Sequence, residues 1–229
     1  MKLLSLLLMI SIVGAVLVLL IAFTYSYNTM SALGSGAGFL ILSAVAVFIW
    51  FYRRNSRQHR NASILSYANP VGMILGLLWI IEISINNILA PPLPARDIID
   101  NVFWGIIAMT ILALAIVTAF RTKSVVSGIE VGGWSGFVSG LLACCMALSV
   151  IVFGMHFITQ DPLNIAEWST RNIASAAPTM AAYFAFETFA GAFLHLVVLG
   201  VGMGIFLGLV GGLLGMGYKR VNLRRRKLA

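Results

Sequence analysis

The sequence predicts an all-α polytopic membrane protein: one integral membrane domain of 229 residues, a six-transmembrane-helix bundle with both termini cytoplasmic. Three observations carry that fold class. Hydrophobic residues make up 60% of the chain and charged residues 10%, with a mean hydropathy of +0.99, whereas a soluble domain carries about 25% charged residues. Apolar runs approaching the roughly 20 residues needed to cross a bilayer as a helix recur six times. Basic residues gather at alternate connections between those runs. This balance excludes a soluble enzyme, a disordered chain and a collagen-like repeat.

The spans fall, in order, at 3–23, 38–52, 70–89, 102–120, 134–158 and 180–217. The first has an apolar core longer than the roughly 7–15 residues of a secretory h-region, and no A-x-A site follows it, so it reads as a retained helix. The second is the shortest and is expected to begin within the Gly/Ser-rich stretch 31–38. The third opens at Asn69-Pro70, a capping side chain before a proline at the first helical position. Asp97 and Asp100 precede the fourth as a capping pair, where negative charge suits the helix dipole; the same carboxylate pair could bind a cation, but capping is the preferred reading. The stretch 121–133 is too polar to span and reads as a cytoplasmic connection. Asp161-Pro162 repeats the cap-proline pattern ahead of 163–174, a mixed segment containing Trp168 that reads as an interfacial helix on the outer surface. A straight helix over 180–217 would measure about 57 Å, so it either projects from the membrane or bends near Gly191. The basic tail 218–229 follows.

Six spans place both termini on one side. Alternate connections then carry all but Arg96 and Arg171 of the 15 basic residues on that side, which the positive-inside rule makes cytoplasmic. A bacterial-type cytoplasmic (plasma) membrane is the expected location. Tyr25, Tyr27, Trp104 and Tyr183 mark the outer interface, and Trp50, Tyr52, Trp134 and Tyr218 the inner one. The net charge of +8 comes from Lys2, the run Arg53, Arg54, Arg57 and Arg60, the pair Arg121 and Lys123, and the tail. Clusters flanking apolar runs point to the lipid bilayer as partner, with anionic headgroups at the tail, and not to nucleic acid. Cys144 and Cys145 are adjacent within an apolar run, which excludes a disulfide framework.

Glycines recur at intervals of four in the last span, at Gly200, Gly204, Gly208 and Gly212, with Gly211 and Gly215 beside them. Gly132, Gly136 and Gly140 repeat the spacing in the fifth, and Gly72 and Gly76 in the third. Such GxxxG ridges let helix backbones approach closely in lipid. All of them fall in the cytoplasmic half, while the polar residues Glu82, Asn86, Asn87, His156, Glu187 and His195 fall in the outer half. The expected shape is a bundle packed tightly below and splayed above, around a cavity that opens outward.

Glu82 stands first among the candidate binding residues. It lies about 18 Å along the third span from Pro70, and an ionisable group near mid-membrane costs at least about 2.5–3.5 kcal/mol, which directs it toward the bundle or water. Asn86 follows it by one turn and Trp79 precedes it, so one face reads Trp-Glu-Asn, suited to a small polar or cationic group. The bland alternative is a hydrogen-bonded packing carboxyl. Asn87, Glu187 and His195 complete the candidate set, His195 being equally at home as a packing residue.

Other chemistries fail. Gly133-Trp134-Ser135-Gly136 with His195 resembles the Ser–His pair of rhomboid proteases, but the two lie at opposite depths, and a nucleophile needs its base within about 3 Å. His156 and His195 are poorly matched as haem ligands, and no His/Cys/carboxylate set has metal-site spacing. No phosphate or dinucleotide motif appears, so neither a cofactor nor an enzyme is expected. Two readings remain. One is a transport-type subunit with an outward polar cavity, similar in size and topology alone to vitamin-uptake substrate-binding subunits. The other is a non-catalytic accessory or scaffold subunit joined to other membrane chains, or to its own copies, through the glycine ridges.

Overall fold

The computed structural model describes residues 2–55 and 62–228, so Arg57 and Arg60 lie outside the described residues. The described residues are helical almost throughout and include no strand. Six helical stretches are long and apolar enough to cross a membrane, as the composition requires. The elements are α1 (Lys2–Tyr25), α2 (Thr29–Asn55), α3 (Ala62–Ser84), α4 (Ala95–Thr122), α5 (Val125–Phe153), the short α6 (Met155–Gln160), α7 (Pro162–Ser175), α8 (Met180–Leu194) and α9 (Met203–Leu228). Two stretches wind more loosely, as π-helix. Ile85–Leu89 continues α3, and His195–Gly202 joins α8 to α9 without a break.

The helix limits depart from the sequence reading at four places, each for a local reason. The Gly/Ser-rich stretch 31–38 is wholly helical, and α2 starts at Thr29 because Asn28 Oδ1 accepts the Ser31 N–H at 2.8 Å while Ser31 Oγ accepts the Tyr27 and Asn28 N–H groups. Pro70 lies inside α3 and not at its first position, so Asn69 is not a cap; its Oδ1 accepts the Trp134 indole N–H at 2.6 Å. The supposed connection 121–133 is helix apart from Lys123 and Ser124: Lys123 adopts a left-handed conformation that ends α4, and Ser124 caps α5 through the Ser127 N–H. The fifth span ends at Gly154, before α6. Asp161 does cap α7, accepting the Leu163 N–H beside Pro162.

Helix α5 is the axis of the bundle. It is buried along most of its length and touches α1, α3, α4, α8, α9 and the 195–202 stretch. α9 packs between α5 and α4, α3 lies along another side of α5, and α2 leans chiefly on α1. The α5–α9 contact is backbone against backbone. A Cβ on Gly128 would stand 2.9 Å from the Gly208 carbonyl oxygen, and one on Gly140 2.8 Å from that of His195. Cβ atoms on Gly132 and Gly136 would fall on the carbonyl oxygens of Gly204 and Gly200. Gly212 closes the series against Val125, so the row on α5 begins one step earlier than Gly132, at Gly128.

Gly211 and Gly215 lie on a second face of α9, against Leu112, Ala115 and Ile116 and against Ile116, Ala119 and Phe120 of α4. Gly72 and Gly76 bring α3 onto Ser135, Val138 and Leu142 of α5. Residues four apart overshoot the 3.6-residue turn by about 40° per step, so a glycine row drifts around a regular helix. The 195–202 stretch carries Gly200, the first of the row, against Gly136 and Gly140 of α5.

Substitution by alanine tests the contact. Gly136→Ala is expected to cost about 1–3 kcal/mol, since a methyl placed against backbone cannot be accommodated by a rotamer change. Gly105→Ala, where the space is open, should leave stability unchanged or slightly raised. Thermal unfolding of the detergent-solubilised protein, followed by tryptophan fluorescence, separates the two.

Candidate functional site

The polar groups of α3 and α4 meet near the α3–α4 turn, away from the glycine contacts. Glu82 sits in the last turn of α3 and is only 5% exposed. Its Oε1 accepts an N–H from Asn86 Nδ2 at 2.9 Å. The same amide nitrogen donates to Asp100 Oδ1, on the second turn of α4. One amide group therefore joins two carboxyls from different helices. The Asp100 carboxyl and the Trp104 indole flank Glu82 directly. Glu82 Oε2 and Asn86 Oδ1 are buried and receive no hydrogen bond.

Local winding creates this meeting. In a regular α-helix Asn86 would follow Glu82 by slightly more than a turn. It lies instead on the π-helical stretch 85–89, which ends where the Ala90 N–H reaches the Ile85 carbonyl in a left-handed residue. Such interruptions are frequent at functional sites in helical proteins.

Trp79 forms the floor. It is 1% exposed and makes T-shaped contacts with the rings of His195, at 4.9 Å between centroids, and Trp104, at 5.9 Å. His195 opens the second π-stretch. Its Nδ1 donates to the Gly191 carbonyl at 2.8 Å, which leaves Nε2 without the proton in a neutral ring. Both π-helical stretches thus deliver a polar side chain to one cluster: Asn86 from one and His195 from the other.

The remaining candidates lie apart. Asn87 Nδ2 donates to the Ile83 carbonyl of its own helix. Glu187 is exposed and accepts from the Tyr183 hydroxyl, which also contacts Glu167 of α7. His156 is exposed against Phe157. Ser135 donates to the Val131 carbonyl, and His195 bonds the Gly191 carbonyl. Trp104 and Trp134 do not simply mark interfaces: each lies more than two turns inside its helix and engages Trp79 or Asn69. Asp100, read from the sequence as half of a capping pair with cation binding as the alternative, is not placed with Glu82 and Asn86 by that reading. Its spacing from Asp97 suggests a cap, but α4 begins at Ala95 and only Asp97 falls in the first turn.

The cluster is closed. With Trp79 and Glu82 almost wholly covered, side chains fill the region where the splayed-bundle reading expects water. An open groove of about 340 Å³ does occur elsewhere, between α1, α3 and α5, but Leu6, Met9, Val13, Ile80, Leu142 and Met146 make it apolar. Among the described residues, no three His, Cys, Asp or Glu side chains are grouped closely enough to hold a metal ion. No protein-family model matches the chain, and neither the curated proteins nor the solved structures offered a match.

A second tie fastens this end of the bundle. Arg96, on the first turn of α4, pairs with Asp161 at 2.8 Å, the two side chains being 17% and 5% exposed. Asp161 also caps α7, so one carboxylate joins α4 to the α6–α7 corner, while α6 packs on the 85–89 stretch. Removing Arg96 leaves that carboxylate buried and unpaired. Arg96→Ala is expected to cost about 2–3 kcal/mol, between the values for exposed and fully buried pairs. Adding Asp161→Asn to it should recover part of the loss, because no orphan charge then remains; a thermal-unfolding double-mutant cycle measures this.

Proposed function

We propose that this multi-pass membrane protein is a transport-type subunit whose site is the Glu82–Asn86–Asp100 cluster, with a small polar or cationic solute as cargo. The observation that carries the reading is the convergence of two carboxyls on one amide inside a bundle of apolar helices, with polar atoms left unsatisfied. Ionisable groups are expensive there, and packing alone would be served better by apolar side chains. The two carboxyls attract positive charge, and the Trp79 and Trp104 faces beside them suit a cation as well.

In this reading the closed cluster is one state of the protein. The α6–α7 corner, pinned by Arg96 and Asp161, covers the site, and release of that pin opens it. The positive-inside pattern of the basic connections puts the α4–α5 turn and both termini in the cytoplasm, so the site opens outward. The glycine contacts form the part that stays fixed, and the basic tail meets anionic lipid or a partner subunit. A scaffold role is the competing reading, favoured by the same dense packing.

Thiol accessibility at position 82 separates the two. In a protein with Cys144 and Cys145 changed to Ala, Glu82→Cys should react with a small membrane-impermeant thiol reagent applied from outside intact cells. Leu75→Cys, on the same helix and equally enclosed, should not. An unreactive thiol at position 82 in a folded protein would overturn the transport reading and leave the scaffold.

A further inference from the structure

Resting on that reading, we propose that the cargo held by the Glu82–Asp100 pair is a single proton. Three features of the packed site argue for it. First, Glu82 Oε2 is an acceptor with no donor, in a side chain only 5% exposed, and the atom itself is sealed from water. No water-sized body reaches it, and a hydrogen is the smallest positive occupant this packing admits. Second, donors near the pair are few: Asn86 Nδ2 spends itself on Glu82 Oε1 and Asp100 Oδ1, and the Trp104 indole beside Glu82 is neutral. Two bare carboxylates would then share one amide in a medium where like charges repel strongly. A hydrogen on one carboxyl removes that repulsion and gives Oε2 a bond to make. Third, Asp100 is only half-buried and stands one turn from the exposed Asp97, which supplies an exit.

The transfer balances simply. The O–H bond at Glu82 Oε2 breaks as an O–H bond forms on the Asp100 carboxylate. Asp100 then gives that hydrogen to water at its exposed edge, and nothing is oxidised or reduced. The groups that bear on the pair can be named element by element. Helix α3 contributes Glu82 alone, and the 85–89 stretch contributes the neutral Asn86. Helix α4 brings Asp100, with Asp97 and Arg96 a turn away, the latter engaged by Asp161. The 195–202 stretch brings His195, within electrostatic range of Asp100. Helix α6 carries only the exposed His156, and the acid of α5, Glu130, lies at the opposite end of the bundle.

Infrared spectroscopy of the full chain in lipid nanodiscs tests this without requiring transport. At neutral pH, where carboxyls in water are ionised, the wild type should show the C=O stretch of a protonated carboxylic acid, shifted in heavy water. Glu82→Gln should abolish it and Asp100→Asn should displace it. Absence of the band, or its survival in both variants, overturns the proposal, as does its loss on adding sodium or potassium, which would make a metal cation the occupant. Proton entry into vesicles carrying a trapped pH dye is the separate readout. A band without flux would retain the protonated pair and overturn the transport reading.

Discussion

The bundle depends on how closely α5 and α9 approach. Gly132 faces the Gly204 carbonyl and Gly136 faces the Gly200 carbonyl, with no side chain between them. Apolar surface gains little from leaving lipid for another helix, so association rests on packing and on hydrogen bonds. Because α9 also presents Gly211 and Gly215 to α4, its position against α5 fixes that of α4. Asp100 rides on α4, and Glu82 rides on α3, itself set against α5 through Gly72 and Gly76. The spacing between two carboxyls at one end therefore follows from absent side chains at the other.

The two π-helical stretches reconcile packing with chemistry. At 195–202 one stretch presents His195 to Trp79 and leads into the glycine face that meets α5. At 85–89 the other ends α3 and places Asn86 between Glu82 and Asp100. Loosely wound turns resist deformation less than regular helix, and here they lie beside groups whose partners would have to change on opening.

The helical class and the number of spans are plain in the sequence because composition and run length report them directly. Glu82, Asn86 and His195 stand out for the same reason, as polar groups inside apolar runs. Asp100 stands out less, because two aspartates ahead of an apolar run are also what a helix start looks like. Gly128 escapes notice behind Ser124, Ser127 and Glu130, which make a true helix start resemble a loop. Extending the four-residue interval backward from Gly132 would have found it. The closed state of the cluster depends on the bulk of Trp79 and on how α6 folds back, and spacing carries neither.

Helix α2 leans chiefly on α1, with Phe48 reaching Trp134 and Phe137, and Gly38 lying against Phe189 and Phe193. All four of those aromatic partners, and Cys145 whose thiol meets the Ile10 carbonyl, belong to helices made much later in the chain. A ribosome releases the first hairpin long before α5 exists. During that interval α1 and α2 have only each other and lipid, so their mutual contact must suffice to hold them in the bilayer. The later helices then complete a seat that the first pair has kept waiting.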